Sequence, residues 1–285
     1  MIKYNIREPS NIEIYKSIGV LYSSFGRTLN KRTNEEEEKA WRAVIKNNIG
    51  KFLISEENGK IFGIGGVFIF GDVCTFGYMG VLPEYRGKGV GSKIFGELLK
   101  LAKDLGCTTM ILYASKLGEP IYKKFGFKRS FYGVMYQLPV NLPELRITNK
   151  EVKVLSDFPN WLLSLDKETM GFERSRYLYV KQNLGSKILA LEGEAYGLLS
   201  QISSKIRIGP IISTNLDGAL LIIKKGITLG ATQIIITKHQ SLSKEIFELI
   251  ELTEIENGAS LKMTYGKNLS ENLDLLYAIG TFAKS

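Results

Sequence analysis

The sequence is poor in cysteine and histidine, and it lacks any long uninterrupted apolar run. Its 285 residues include two cysteines and one histidine. Cys74 and Cys107 stand in separate apolar stretches, so we expect buried thiols in a reducing compartment rather than a disulfide scaffold. With His239 alone and no Cys/His cluster at ligand spacing, the sequence predicts no metal site. Without a signal peptide or an apolar span, we expect a cytoplasmic protein with no membrane partner.

Acidic residues are outnumbered, and the imbalance is local. The chain has 38 basic and 29 acidic residues, a net charge of +9. Residues 1–147 hold 22 basic and 14 acidic residues, whereas residues 148–285 hold 16 and 15. A basic first half suits a polyanionic ligand such as a nucleotide cofactor. Nucleic-acid binding is not favoured, because no basic stripe interleaved with aromatic residues is present.

A strand, a glycine-rich turn and a helix follow one another between residues 75 and 105. The apolar run through Phe76 and Tyr78 predicts a buried strand, which Pro83 ends because proline lacks an N–H. The turn is Arg86-Gly87-Lys88-Gly89-Val90-Gly91, and apolar residues at helical spacing follow from Ser92. Main-chain amides at the start of a helix favour an anion. The segment therefore predicts a phosphate or pyrophosphate site built mainly from backbone.

Two common phosphate-binding motifs do not fit this turn. A Rossmann fingerprint requires Gly-x-Gly-x-x-Gly, whereas the spacing here is Gly-x-Gly-x-Gly with Arg86 leading. A Walker A loop requires Gly-x-x-x-x-Gly-Lys-Ser/Thr, which is absent. A glycine-rich turn that only caps a surface helix remains the simpler alternative.

The segments 81–91 and 120–127 together resemble the GNAT family of N-acetyltransferases. The first, VLPEYRGKGVG, resembles the family's acetyl-CoA signature, Arg/Gln-x-x-Gly-x-Gly/Ala. The second, PIYKKFGF, resembles its Tyr-x-x-x-Gly-Phe element in the expected order and separation. The resemblance implies an α/β fold with a mixed sheet, the GNAT fold, and acetyl transfer from acetyl-CoA to an amine acceptor, either a small molecule or a peptide.

The same resemblance implies roles for individual residues. The sheet is expected to open at Met79, Gly80 and Val81, whose backbone would pair with pantetheine and whose N–H groups would meet an oxyanion. Tyr122 matches the family's general acid, with a core aromatic as the alternative. Lys123, Lys124 or Arg129 would meet the 3′-phosphate, or would lie on a solvated face. The residues expected to bind the pyrophosphate are Arg86, Gly87, Lys88, Gly89, Val90, Gly91 and Ser92.

The general base is left open by the sequence. Some family members place a glutamate on the strand after the phosphate helix, where this chain has about Met110. Ser115 stands where the family has an asparagine. Glu84, Tyr78 or a chain of water molecules are the remaining candidates. The carboxylates of residues 35–38 would either attract a cationic acceptor or form a solvated helix face.

The second half resembles a degenerate copy of the first. Residues 187–197 parallel residues 52–63, and residues 229–236 parallel residues 105–112, but no glycine-rich turn is repeated. We expect a catalytic domain over residues 1–140, a linker over residues 141–150 and a GNAT-like domain over residues 151–285. The second domain would shape the acceptor cleft or a homodimer, and Asp166, Arg174 and Arg176 could form a polar site within it.

Two function classes compete at this point. The first is an acetyl-CoA-dependent N-acetyltransferase. The second is a non-catalytic acyl-CoA-binding regulatory module, an alternative motivated by the missing glutamate. Turnover with an amine would separate them.

Overall fold

A computed structural model describes residues 4–142, 150–238 and 242–282, so His239 and much of the predicted linker lie outside the described residues. The strands are β1 (Asn5–Arg7), β2 (Gly50–Glu57), β3 (Lys60–Phe70), β4 (Val73–Val81), β5 (Thr109–Ala114), β6 (Lys128–Gln137), β7 (Lys153–Leu155), β8 (Lys187–Leu191), β9 (Ala195–Ile202), β10 (Lys205–Ser213), β11 (Gln233–Lys238), β12 (Thr253–Gly266) and β13 (Leu276–Ile279). The α-helices are α1 (Ile14–Ser24), α2 (Lys31–Lys46), α3 (Val90–Asp104), α4 (Glu119–Lys124), α5 (Asn160–Met170), α6 (Ser175–Asn183), α7 (Leu216–Thr228) and α8 (Leu242–Leu249). None of the helices in the described residues has the length and apolar character needed to cross a bilayer.

The thirteen strands form one mixed sheet in which the two halves of the chain interleave. Their order is β1-β2-β3-β4-β5-β12-β6-β11-β13-β10-β9-β8-β7. Strand β12 from the second half lies between β5 and β6, with Leu261 opposite Ala114 on one side and Tyr132 on the other. Strand β6 in turn pairs with β11 along its length. The halves are therefore joined by continuous main-chain hydrogen bonding, and the division at residues 140 and 151 stays a prediction.

One face of the sheet carries a core that both halves share. Helices α1 and α2 from the first half and α5 and α6 from the second pack there, and Trp41 stacks on Phe52 with ring centroids 4.1 Å apart. The opposite face carries two separate cores, one under α3 and one under α7. Because the shared core buries apolar side chains of both halves, it binds them together as the sheet does.

The internal repeat is visible in the third and fourth strands of each half. Between β3 and β4, Ile64 pairs with Gly80 and Gly66 with Gly77, which leaves one extra residue on β4. Between β9 and β10, the pairing shifts in the same sense between Ile208 and Ile211. Both halves thus carry a β-bulge at the same place, a feature that bends a strand and re-aims its side chains.

Both cysteines are free and buried, as expected. Cys74 and Cys107 lie in the core under α3, and no disulfide joins them. Burial and the contact with Cys107 raise the pKa of the Cys74 thiol, with the contact as the larger cause. The Cys74 thiol stays protonated, and both cysteines pack in this core.

Candidate functional site

The glycine-rich turn connects the end of β4 to the start of α3. After Val81, a short 3-10 helix over Pro83–Tyr85 redirects the chain. Gly87 and Gly89 then adopt φ angles of +73° and +79°, and Gly89 is the N-cap of α3. L-residues with side chains rarely adopt this left-handed conformation, so glycine is required at both positions. A Cβ at either one would meet nothing within 4 Å, so the turn borders open space.

The amides of this turn are available to a ligand. The amide of Tyr85 donates to Leu82 O at 2.9 Å and that of Arg86 to Pro83 O at 3.1 Å. The main-chain amides of residues 87–92 donate to no acceptor outside the helix among the described residues. Gly89, the N-cap, has no side chain that could bind them. The positive end of the α3 dipole adds to this group of donors. A pyrophosphate fits this arrangement, and no side chain fills it.

The two basic side chains of the turn are used within the protein. The guanidinium of Arg86 donates through Nε to Val81 O at 3.1 Å and through Nη2 to Ser24 O. It therefore ties the turn to the end of α1. Lys88 donates to Glu84 O at 2.8 Å and lies over the ring of Tyr85. The direct cofactor contacts assigned to Arg86 and Lys88 from sequence stay predictions, but both side chains also shape the turn.

Strands β4 and β5 separate after Phe76, so the unpaired stretch includes Met79, Gly80 and Val81 but begins before them. Their parallel pairing runs from Val73–Thr109 to Phe76–Leu112 and stops there. Residues 77–81 continue along β3 only, so their other edge is unpaired. Tyr78 has a φ of +56°, a costly conformation for a tyrosine, which produces the bulge. This wedge-shaped opening offers main-chain groups to an extended ligand, as the edge of a sheet does.

Tyr122 lies on the same face of the sheet as α3, in the core beneath that helix. Its ring packs edge-on against Phe95, with centroids 4.8 Å apart, and is 7% exposed. Burial raises the pKa of the Tyr122 hydroxyl above its ordinary value. The hydroxyl has no hydrogen-bond partner among the described residues, and both it and Ser115 Oγ lie 3.4 Å from the Cβ position of Gly118. A protonated, unengaged phenol is a suitable proton donor.

The other candidate residues from the sequence lie in different environments. Glu84 is exposed on the outer side of the turn, 4.0 Å from Lys60. Met110 is buried in the core and offers no titratable group. Lys123 and Arg129 each contact Glu119, at 2.8 Å and 3.3 Å.

The polar residues suggested in the second half divide into two groups. Asp166 and Arg174 form a buried ion pair at 2.8 Å, which Tyr196 joins by a hydrogen bond to the carboxylate. Burial opposes the charge of Arg174, but Asp166 outweighs it and raises the pKa of the guanidinium. Arg176 is exposed and takes no part in this network. Both charged groups have their partners within the protein, so we interpret the pair as structural.

Sequence reasoning gave no role to Tyr22 and did not separate Glu37 from its acidic neighbours. Tyr22 donates a hydrogen bond to Glu37 Oε1 at 3.0 Å, between α1 and α2. Tyr78 packs against Trp41 at 5.1 Å between ring centroids, beside this pair. Burial, followed by the charges of Glu37, Tyr177 and Tyr22, raises the pKa of Tyr78. The acidic run by itself does not show which of its carboxylates contacts α1. The position of Glu37 on the helix decides this, and it is known only from the structure.

The second half has the same opening, but the chain fills it. Strands β10 and β11 pair directly only at Arg207–Gln233 and Ile208–Ile234. Beyond that point β13 lies between them, with Ala278 opposite Ile211 and Ile236. The start of α7 is also closed, because Asn215 Oδ1 accepts a hydrogen bond from the Gly218 amide at 2.8 Å. At the place that corresponds to the first opening, β13 therefore pairs with the strand edges, and the side chain of Asn215 binds one of the amides at the start of α7.

The fold is one mixed α/β sheet with two related halves, and the first half keeps an unpaired strand edge beside its glycine-rich turn. Two family models, each described as an acetyltransferase (GNAT) domain, match residues 48–129 and 162–278. The chain belongs to the GNAT acetyltransferase family and contains two such domains in tandem, which confirms the resemblance and the fold expected from sequence.

Relatives of known structure share the complete architecture. A protein of Pyrococcus horikoshii, assigned as an acetyltransferase, superposes with a TM-score of 0.89 at 25% identity, over 100% of this chain and 97% of its own. A tandem GNAT protein of the clavulanic acid biosynthesis pathway superposes at 0.65 with 11% identity, over 94% of this chain and 100% of its own, and shows the fold alone.

Curated relatives match only parts of the chain. The uncharacterized N-acetyltransferase YitH of Bacillus subtilis is 26% identical over 175 residues, which is 59% of this chain and 61% of that protein. A second B. subtilis protein, assigned as a [ribosomal protein bS18]-alanine N-acetyltransferase, is 25% identical over 95 residues, 32% of this chain and 63% of its own. The chain thus spans less than two thirds of the length of both.

Proposed function

We propose that the protein is an acetyl-CoA-dependent N-acetyltransferase that moves the acetyl group directly to a primary amine. The observation that carries this proposal is the combination of free amides at the start of α3 with the unpaired edge of β4 beside them. The acceptor is a small molecule or a peptide whose amine reaches the opening between β4 and β5.

The residues of the first half fit acetyl-CoA in two places. The amides of residues 87–92 would bind the pyrophosphate, and Ser92 would add its hydroxyl. The main chain of Met79, Gly80 and Val81 would pair with the pantetheine as a neighbouring strand does. When bound there, acetyl-CoA supplies an acetyl group activated as a thioester.

The protein contributes position and a proton to the reaction. Main-chain N–H groups near Val81 would stabilise the negative charge that develops on the acetyl oxygen. The hydroxyl of Tyr122 would give its proton to the departing sulfur, for which the raised pKa keeps it protonated. The incoming amine would lose its proton to water, because Met110 replaces the carboxylate that other members carry.

Thiol release tests the proposal. Purified protein would be mixed with acetyl-CoA and a panel of polyamines, amino acids, aminoglycosides and peptides with free N-termini. We expect thiol release that depends on one class of amine, with an equal amount of acetylated product by mass spectrometry. Tight binding of acetyl-CoA with no turnover on any amine would contradict the proposal and support the non-catalytic acyl-CoA-binding module.

A further inference from the structure

Arg207 is a buried cation with no acidic partner. It lies on β10 at the base of the filled opening, with its side chain on the face that both halves share, and is 9% exposed. Its Nη2 donates to Gln233 Oε1 at 3.1 Å and to Met135 Sδ at 3.5 Å, both neutral acceptors. Its Nε is buried without a hydrogen-bond partner. Within the described parts of the chain, no carboxylate lies within 4.0 Å of it.

This arrangement is costly for the free protein. Other buried cations of the chain have carboxylate partners, as Arg174 has Asp166 and Lys262 has Glu271. A buried guanidinium without one loses its hydration and gains no compensating charge. Burial, followed by the charge of Arg27, lowers the pKa of Arg207 to about 10. Such a group persists where a ligand supplies the missing negative charge.

The charge of a second arginine, Arg27 from the first half, acts on Arg207. Arg27 follows α1, where its amide donates to Tyr22 O at 3.0 Å, and its exposed guanidinium has no partner among the described residues. The two halves touch here, because Thr33 Oγ1 and Ser203 Oγ are 3.1 Å apart. Guanidinium groups without carboxylate partners attract an anion.

Tyr22 links the two arginines to the opening between β4 and β5. The charges of both arginines act on Tyr22, and Tyr22 in turn interacts electrostatically with Tyr78. Tyr78 forms the bulge at the opening between β4 and β5. The path from the opening to Arg207 therefore runs along the shared face, on the side opposite α3, where the pyrophosphate would bind.

We propose that Arg207 and Arg27 bind an anionic group of the acceptor, so that the substrate is an amine that also carries a carboxylate or a phosphate. This inference rests on the proposed function, since it assigns the acceptor's class. The amine would reach the opening near Tyr78 while the anion is held by one arginine from each half. The sequence signal is a lone arginine within the apolar strand KIRIGPII.

Matched amines test the preference. Lysine and ornithine would be compared with cadaverine and putrescine, which are the same molecules without the carboxylate. We expect kcat/KM to be about tenfold or more higher for the carboxylate-bearing member, the effect of a charge-assisted hydrogen bond. In Arg207→Met, KM for that member should rise by this factor, with the diamines unaffected. The charge-matched control Lys224→Gln, at an exposed position of α7, should keep the preference. A ratio unchanged in Arg207→Met would overturn the inference.

Two further measurements do not depend on turnover. Inorganic phosphate should raise the melting temperature of wild-type protein saturated with coenzyme A more than that of Arg207→Met. Without added anion, Arg207→Met should be at least as stable as wild type in urea, because the uncompensated charge is gone. An arginine with a purely structural role would instead leave the variant less stable and equally responsive to phosphate. If no amine is acetylated, the proposed function fails, and these two measurements still decide whether Arg207 binds an anion.

Discussion

The two halves of this protein share a fold and differ at the two places where a coenzyme would bind. In the first half, the helix after the fourth strand begins at Gly89 without a side-chain cap, whereas in the second it begins at Asn215, which caps it. In the first half the fourth and fifth strands separate and leave one edge of residues 77–81 unpaired, whereas in the second β13 lies between the corresponding strands. In the second half, β13 and Asn215 thus form hydrogen bonds with backbone groups whose counterparts in the first half have no partner.

This difference shows that the fold does not decide the activity. Both halves keep the bulge on the fourth strand, so the geometry that opens the sheet is present twice. A vacant strand edge exposes unpaired N–H and C=O groups, and filling it with β13 removes that cost. Function therefore depends on which copy leaves its backbone groups unpaired.

The largest expected effect concerns Tyr122, which has no tyrosine counterpart in the sequence of α8. We expect Tyr122→Phe to lower kcat by about 10²-fold or more, because the departing sulfur loses its proton donor. Binding of coenzyme A should not change, and calorimetry would serve as the control. An unchanged kcat would leave Tyr122 as a core aromatic only.

The pH profile tests the same residue. Burial raises the pKa of Tyr122 above 10.0, so its acidic form is retained as the pH rises to that value. We expect kcat/KM in the wild type to increase as the amine loses its proton, with no decline up to about pH 10. A decline between pH 7 and 9 that is absent from Tyr122→Phe would contradict the raised pKa.

The residues of β13 that fill the opening of the second half should be as sensitive to substitution as other core residues. Ala278 lies on β13 with no exposed surface. We expect Ala278→Asp to lower the free energy of unfolding by about 3 kcal/mol or more, because a carboxylate would be buried without a partner. Urea unfolding measures this change, and Val140→Asp, at an 88% exposed position, is the control. Equal stability of the two variants would show that β13 is not packed in the sheet.

A substitution in the glycine-rich turn of the first half should weaken the binding of coenzyme A. Gly89→Val would place a branched side chain at a φ of +79° and over the free amides. We expect the affinity for coenzyme A to fall about tenfold or more, since strain of ~1–2 kcal/mol and a blocked site act together. Gly106→Val imposes similar strain at the other end of α3, with φ of +83° and nothing within 4 Å of the Cβ. Equal losses of affinity in both variants would refute a local role for the turn.

The smallest expected effect concerns the cap of α7. Asn215→Ala removes the hydrogen bond to the Gly218 amide and should cost about 1 kcal/mol of unfolding free energy. It should not create a coenzyme A site, because β13 still fills the opening. A second binding event in this variant would show that the cap alone separates the two halves.

The sequence predicts the local elements around the first site because their determinants are local. The turn, the helix after it and the end of the strand near Val81 depend on neighbouring residues, and the structure contains all three, although the helix begins at Val90 rather than at Ser92. The residues that would bind a coenzyme stay a prediction. The separation of β4 from β5 at residues 77–81 lies in the same segment of the chain. Local patterns of this kind are readable without knowledge of the rest of the chain.

Long-range pairing is what the sequence could not provide. Nothing near Leu261 shows that β12 lies between β5 and β6, because that register depends on residues more than 100 positions away. The position of β13 between Ile211 and Ile236 is equally remote from its sequence. The direction of the Arg86 side chain toward Ser24 is a further contact that only the folded chain defines.

Titration calorimetry with coenzyme A tests the central claim most directly. The account predicts one binding site per chain, about tenfold or more weaker in Gly89→Val and unchanged in Asn215→Ala. Hydrogen exchange on the same samples should show protection of residues 87–92 and no change at residues 215–220. Two sites per chain, or protection at the start of α7 in place of the glycine-rich turn, would contradict it.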